Sequence, residues 1–363
     1  MKKFLRNVLV FIAIFWALNT VPQFFLSPYY GNKWYVTKYE YFAKHHQRFN
    51  AAIWGSSRID RHVNPSVLDA ALNDYHLSTF NFGTPGTYNP ESYYQYEKFL
   101  ESADEHPIEY AFLEIQPLMD PTAANQFALK SLYWLELKYL RFGVSAALAS
   151  DLDLRGKTRF IVGYGSCFVS RLLFGWKALY VSDREKRNRL WLGRNKDGFY
   201  PLDEELADPG RNSRLKRRHA ELLDDPTVLE RRVSLVTRSL AERRDRDLNE
   251  AHLRKLMELL EKSREKGIYL VFVIPPRLGL RYEKLLALRD RLPAHHVVVV
   301  ANPKAFPELY QLEYSFDIGH LNRKGADIFT GYLADQLKET VFQNQQVEDP
   351  SNGADDSQGT GPQ

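Results

Sequence analysis

The sequence predicts an α/β protein built on a central parallel sheet, with helices on both faces, a large insertion and one N-terminal transmembrane helix. Three observations predict it. From Ala51 onward, short apolar runs alternate with helical stretches, as they do where crossover helices join parallel strands. Two of those runs, 268–274 and 297–301, are apolar throughout, which suits strands covered on both faces. Before them, Lys2, Lys3 and Arg6 precede an uncharged window of 26 residues from Asn7 to Asn32, longer than the about 20 helical residues that cross a bilayer's hydrocarbon.

Each element has a local reason. AAIW (51–54) ends at Gly55 and reads as the first strand, and STFNF (78–82) reads as the second. Asn89-Pro90 supplies an N-cap with proline at the first helical position and opens a helix to about Ser102, after which YAFLEI (110–115) is the third strand. Between about Met119 and Asp225 the alternation gives way to aromatic and basic text, marking an insertion of about 119–248. A charged helical region follows from Pro226, clearest from Asn249 to Lys266 and closed by Gly267. The two apolar strands come next, and Arg323–Phe342 forms a last amphipathic helix. The chain thus divides into a membrane anchor or signal segment (1–32), an α/β domain with the insertion (33–342) and a disordered tail (343–363) rich in Gly, Ser, Asp and Gln.

Composition narrows the function. With 44% hydrophobic and 26% charged residues among 363, the chain is globular rather than disordered. Lys+Arg 49 against Asp+Glu 45 leaves +4, too slight to point to nucleic acid as a partner. The excess is local, with 11 basic against 7 acidic residues from Val181 to Ala220, and reads as a solvated face or a surface for anionic lipid or polymer. A single Cys167 excludes an internal disulfide and multi-thiolate metal sites, and the adjacent pairs His45-His46 and His295-His296 lack metal spacing. No metal and no cofactor is therefore expected. The basic near flank predicts a cytoplasmic N-terminus with the remaining chain outside, whereas no clean small-x-small site supports the rival reading of a cleaved signal peptide.

Two distant segments carry chemistry. Gly55-Ser56-Ser57-Arg58 follows the first strand, at the carboxyl edge of the sheet where ligands of open α/β folds sit. Ser57 is the candidate nucleophile, although Gly-Ser-Ser is also an ordinary turn. A serine hydroxyl needs an oriented base, and Asp317-Ile318-Gly319-His320 supplies one near the other end of the chain. Asp317 there orients and His320 transfers protons; the plainer alternative makes Asp317 a turn cap. Asn81-Phe82-Gly83-Thr84-Pro85-Gly86 follows the second strand, and the Gly86 and Ser57 amides are the candidate oxyanion donors. Gly156-Lys157-Thr158 is no P-loop, because Asp151 stands where that motif needs glycine.

The ordered set GSS, NFGTPG and DIGHLNRKGA resembles the SGNH/GDSL hydrolase superfamily over about 51–115 and 267–337. The resemblance implies a three-layer sandwich, with Ser57 as nucleophile, Asp317 and His320 completing the triad, and Gly86 donating to the oxyanion. Two positions depart from the family pattern. Ser56 replaces the usual Asp, and the third-block Asn is missing, with Gln116 in LEIQPLMD the nearest amide. Gln116 then replaces that Asn, or the hole has two donors; one lost donor typically costs about 2.7–4 kcal/mol.

An anchored GSS protein with a late D-x-x-H is also similar to alginate-type O-acetylation proteins and teichoic-acid D-alanyl transfer proteins. That similarity implies a serine esterase or O-acyltransferase working through acyl-Ser57 on an acylated glycan or acyl donor. It implies a single-pass protein of the bacterial cytoplasmic membrane, facing the periplasm or exterior, with a membrane-bound O-acyltransferase as partner. The alternative is a catalytically silent glycan-binding or scaffold subunit.

Overall fold

The computed structural model describes residues 1–118, 128–177, 189–207, 212–241, 248–276 and 282–343. All of the predicted tail beyond Gln343, the start of the insertion at 119–127, and 181–188 and 208–211 of the basic stretch lie outside the described residues.

The chain opens with α1 (Lys2–Phe24) and α2 (Lys33–His45). The sheet domain then runs β1 (Ala51–Trp54), α3 (Ser57–His62), α4 (Pro65–Ala71), β2 (Thr79–Asn81), α5 (Glu91–Glu101) and β3 (Tyr110–Glu114). The insertion folds as helices: α6 (Leu129–Trp134), α7 (Leu137–Leu148), α8 (Leu154–Phe174), α9 (Leu202–Ala207), α10 (Asn212–Asp224) and α11 (Thr227–Ala241). The sheet domain resumes with α12 (Glu250–Glu265), β4 (Tyr269–Ile274), α13 (Glu283–Arg289) and β5 (Val297–Val299). A short hairpin, β6 (Ser315–Asp317) and β7 (His320–Leu321), precedes α14 (Arg323–Leu337), which runs into a π-helical turn, Lys338–Phe342.

Strands β1 to β5 form one parallel sheet in the order β2-β1-β3-β4-β5. Because successive strand residues point to opposite faces, complete burial of all four β1 residues means that both faces are covered. Helices α5 and α12 pack on one another and on β1 and β4, whereas α4 and α14 pack together and on β2 and β5. The chain reverses its direction across the sheet between β1 and β3, the switch point beyond whose carboxyl ends α/β proteins bind ligands. Trp54 closes β1 inside the core, stacked on Phe82 and edge-on to Tyr96, with its Nε1 donating to Tyr35 at 2.9 Å.

The caps explain most helix boundaries. Asn249 and Asn322 accept the backbone N–H of His252 and Gly325, and Gly267 takes φ +69 one residue beyond the C-cap of α12. The start of α5 corrects the prediction: the Asn89-Pro90 peptide is cis, Pro90 is the N-cap and the helix begins at Glu91. The Asn89 side chain is turned inward instead, donating to the Tyr93 hydroxyl at 2.7 Å and the Gln116 carbonyl at 2.8 Å. α1 is long and apolar enough to cross a membrane.

Candidate active site

Gly55 must be glycine because a Cβ there would lie 2.3 Å from Ile59 Cγ1 and 2.5 Å from Glu114 Oε2. That close approach lets the chain turn directly from β1 into α3, with Ser56 as N-cap, its Oγ accepting from the Arg58 amide, and Ser57 as the first helical residue. Glu114, the fully buried last residue of β3, holds the turn from behind. Its carboxylate accepts the Ser56 amide at 2.6 Å, the Ser56 hydroxyl at 3.2 Å and the Gln116 Nε2 amide at 2.7 Å. Ser57 itself is left partly exposed.

Residues from opposite ends of the sequence meet here. Ser57 Oγ is 2.9 Å from His320 Nε2, and His320 Nδ1 is 2.9 Å and 3.2 Å from the two carboxylate oxygens of Asp317. A carboxylate on Nδ1 places the imidazole proton there, so Nε2 offers its lone pair to the serine hydroxyl. Asp317 also accepts the Gly319 amide at 2.7 Å, so it caps the turn as well as holding the histidine.

A third group joins them from the insertion. Arg218 on α10 ion-pairs with Asp317, and its Nη2 lies 3.0 Å from His320 Nδ1. Burial raises the Asp317 pKa, but the hydrogen bond and charge of His320, with the Arg218 charge, outweigh it and hold the carboxyl below its ordinary value. For His320, burial is the largest effect and lowers the pKa. Asp317 opposes it, while Arg58 and Arg218 add to the lowering. The imidazole is consequently neutral at neutral pH, the state a general base needs.

Helix α3 is the frame for all of this. Its first residue is Ser57, and its last, His62, accepts the Leu321 amide on Nε2 at 3.0 Å, fixing β7 and hence His320. Between them Asp60, fully buried, is paired with Lys38 Nζ at 2.6 Å and Arg61 Nε at 3.2 Å. Lys38 also donates to the carbonyls of Gly83 and Gly198, each at 2.6 Å, tying α2, the loop after β2 and the insertion to α3. Asn81 Nδ2 donates to the Ile59 and Val63 carbonyls at 2.7 and 2.8 Å, and Gly83 packs so tightly that a Cβ would lie 2.2 Å from the Asp60 amide.

The structure therefore brings Ser57, Asp317 and His320 together. Gly86 stands apart: its loop is tied to the turn through Thr84, whose amide donates to the Gly55 carbonyl at 3.0 Å, but Gly86 itself is exposed at φ +69. The Gly86 carbonyl accepts from Lys130 at 2.5 Å. Gln116 is fully buried with its Nε2 donating to Glu114, behind the Ser56 turn. Arg218, His62, Asp60, Lys38 and Glu114 escaped the reading of the sequence. For Asp60 and His62 the signal was the charged string Asp60-Arg61-His62, two residues after the Gly-Ser-Ser turn, unusual for a segment that is then buried.

Compared with protein-family models, with curated proteins and with solved structures, the chain matches none.

Proposed function

We propose that the protein is an SGNH-like serine hydrolase or O-acyltransferase that works through an acyl-Ser57 intermediate. The observation that carries this reading is the unbroken Ser57–His320–Asp317 hydrogen-bonded chain at the carboxyl edge of a parallel sheet, beside its switch point. We infer further that the acyl ester is carried by a cell-envelope or exported polysaccharide. In this account α1 anchors the domain on the outer face of a bacterial cytoplasmic membrane, next to a membrane-bound O-acyltransferase.

Ser57 Oγ attacks the ester carbonyl as its proton passes to His320 Nε2, and Asp317, itself held by Arg218, keeps the ring oriented. The developing oxyanion is taken by the Ser57 amide, free of an intrahelical acceptor in the first turn of α3. Collapse breaks the ester C–O bond, and His320 returns the proton to the leaving alkoxide. Water or a sugar hydroxyl, deprotonated by His320, then attacks acyl-Ser57 and restores the free serine.

The test is turnover of an aryl acetate by the purified full chain, with and without an oligosaccharide acceptor, against Ser57→Ala. Release of acetate or acetylated sugar by the wild type alone supports the proposal. Equal background from both proteins would instead support the silent scaffold subunit.

A further inference from the structure

α8 presents two unlike faces. Gly163, Tyr164, Cys167 and Ser170 are buried against the domain. The opposite side carries Val162, Val169, Leu172 and Leu173 at helical spacing, with Val162 57% and Val169 51% exposed, and the exposed Trp176 follows just beyond the helix end. From 160 to 176 the sequence has one charged residue, Arg171, and it is turned inward, donating to the carbonyls of Leu132 and Tyr133 at 2.5 and 2.6 Å. The outer face of these four turns therefore carries no charge over about 24 Å at 1.5 Å per residue, with only Gly165 and Ser166 between Val162 and Val169. A contiguous apolar surface of this kind marks an interaction site.

Two observations identify what covers it. The end of this face abuts α1: the two helices pack together, and the Trp176 amide is 3.5 Å from Asn19 Oδ1 near the end of the apolar span Lys2–Val21. Basic residues stand at both ends of the stripe, with Arg155, Lys157 and Arg159 before it and Lys177 after it. An apolar face with a tryptophan at the level where a spanning helix leaves the hydrocarbon, flanked by cations, suits a helix lying about 5–10 Å deep at a headgroup boundary.

We propose that α8 is a second membrane contact, lying in the interface of the same leaflet from which α1 emerges and seating the domain on anionic lipid. This rests on α1 spanning the membrane. α8 packs on α6 and α7, so the contact fixes how this helical part of the insertion sits on the membrane.

The test uses the full chain in vesicles of phosphatidylcholine and phosphatidylglycerol, with an environment-sensitive fluorophore on Val169→Cys or, separately, on Leu9→Cys in α1. Cys167 is buried and remains unlabelled. The proposal expects both labels to lose at least about half their emission when doxyl-labelled lipid is included, Val169 most to labels near the headgroup. Quenching of Leu9 alone would overturn the proposal and leave the anchor standing. A Val169 label that is shielded from water but unquenched by lipid would show that protein covers the face, which also overturns it. Loss of quenching at both positions would sink the anchor reading and the proposal with it.

Discussion

Lys38→Met removes the charge that joins three segments around α3 while keeping the aliphatic stem. In the wild type all three ammonium protons are used, on Asp60 Oδ1, the Gly83 carbonyl and the Gly198 carbonyl, each at 2.6 Å in a fully buried site. Breaking a buried ion pair from one side costs about 3–5 kcal/mol, because the remaining charge stays desolvated. Arg61 still reaches the other Asp60 oxygen at 3.2 Å, which puts the expected loss near the lower end, about 3 kcal/mol. With roughly 300 ordered residues and about 2.1 cal/mol/K of unfolding entropy each, that is a fall of about 5 °C in Tm. Thermal unfolding followed by tryptophan fluorescence in detergent reads it. The double variant Lys38→Met/Asp60→Asn should recover part of the loss, since it removes the stranded carboxylate. A Tm within about 1 °C of the wild type, or strict additivity in the double variant, would refute the claim that this pair secures the helix bearing Ser57.

Other predictions follow from the same contacts. Arg218→Gln removes a positive charge that disfavours the His320 imidazolium, so the acidic limb of the kcat/KM profile should move to higher pH; an unmoved limb would contradict the assigned electrostatics. Asp317→Asn should lower kcat by about 10⁴-fold with little change in Tm, as measured by ester hydrolysis. Gly55→Ala forces a Cβ into Ile59 and Glu114, and should lower Tm by the equivalent of about 1–3 kcal/mol and reduce serine reactivity. Burial pushes the His252 pKa from 6.5 down to about 3, so its contribution is complete above the unfolded value and is lost as pH falls below it. Denaturant titrations at about pH 7 and about pH 4 should show the wild type losing about 3 kcal/mol more than His252→Gln.

The strands were legible because apolar runs bounded by turn residues fix them within a residue or two, and the Asn249 and Asn322 caps announce their helices by type and position. The triad was legible for another reason: Ser57 directly follows β1, and the short Asp317–His320 spacing makes a turn, here the β6–β7 hairpin, that His62 of α3 holds beside Ser57. What stayed hidden depends on partners remote in sequence. Lys38 meets Gly198, and Arg218 meets Asp317, through contacts that no local pattern encodes. The start of α5 was misplaced because Asn89 is drawn inward by Tyr93 and Gln116, a tertiary pull stronger than its capping preference. The insertion read as irregular because the outer face of α8 is apolar and so blurs the usual contrast between helix faces.

The most direct measurement is reaction of the intact protein with a fluorophosphonate, with the adduct located by tandem mass spectrometry. The account predicts one phosphonylated residue, Ser57, with labelling abolished in Ser57→Ala and strongly slowed in His320→Ala. An unlabelled wild type, or an adduct on any other serine, would contradict an activated Ser57 and with it the covalent mechanism.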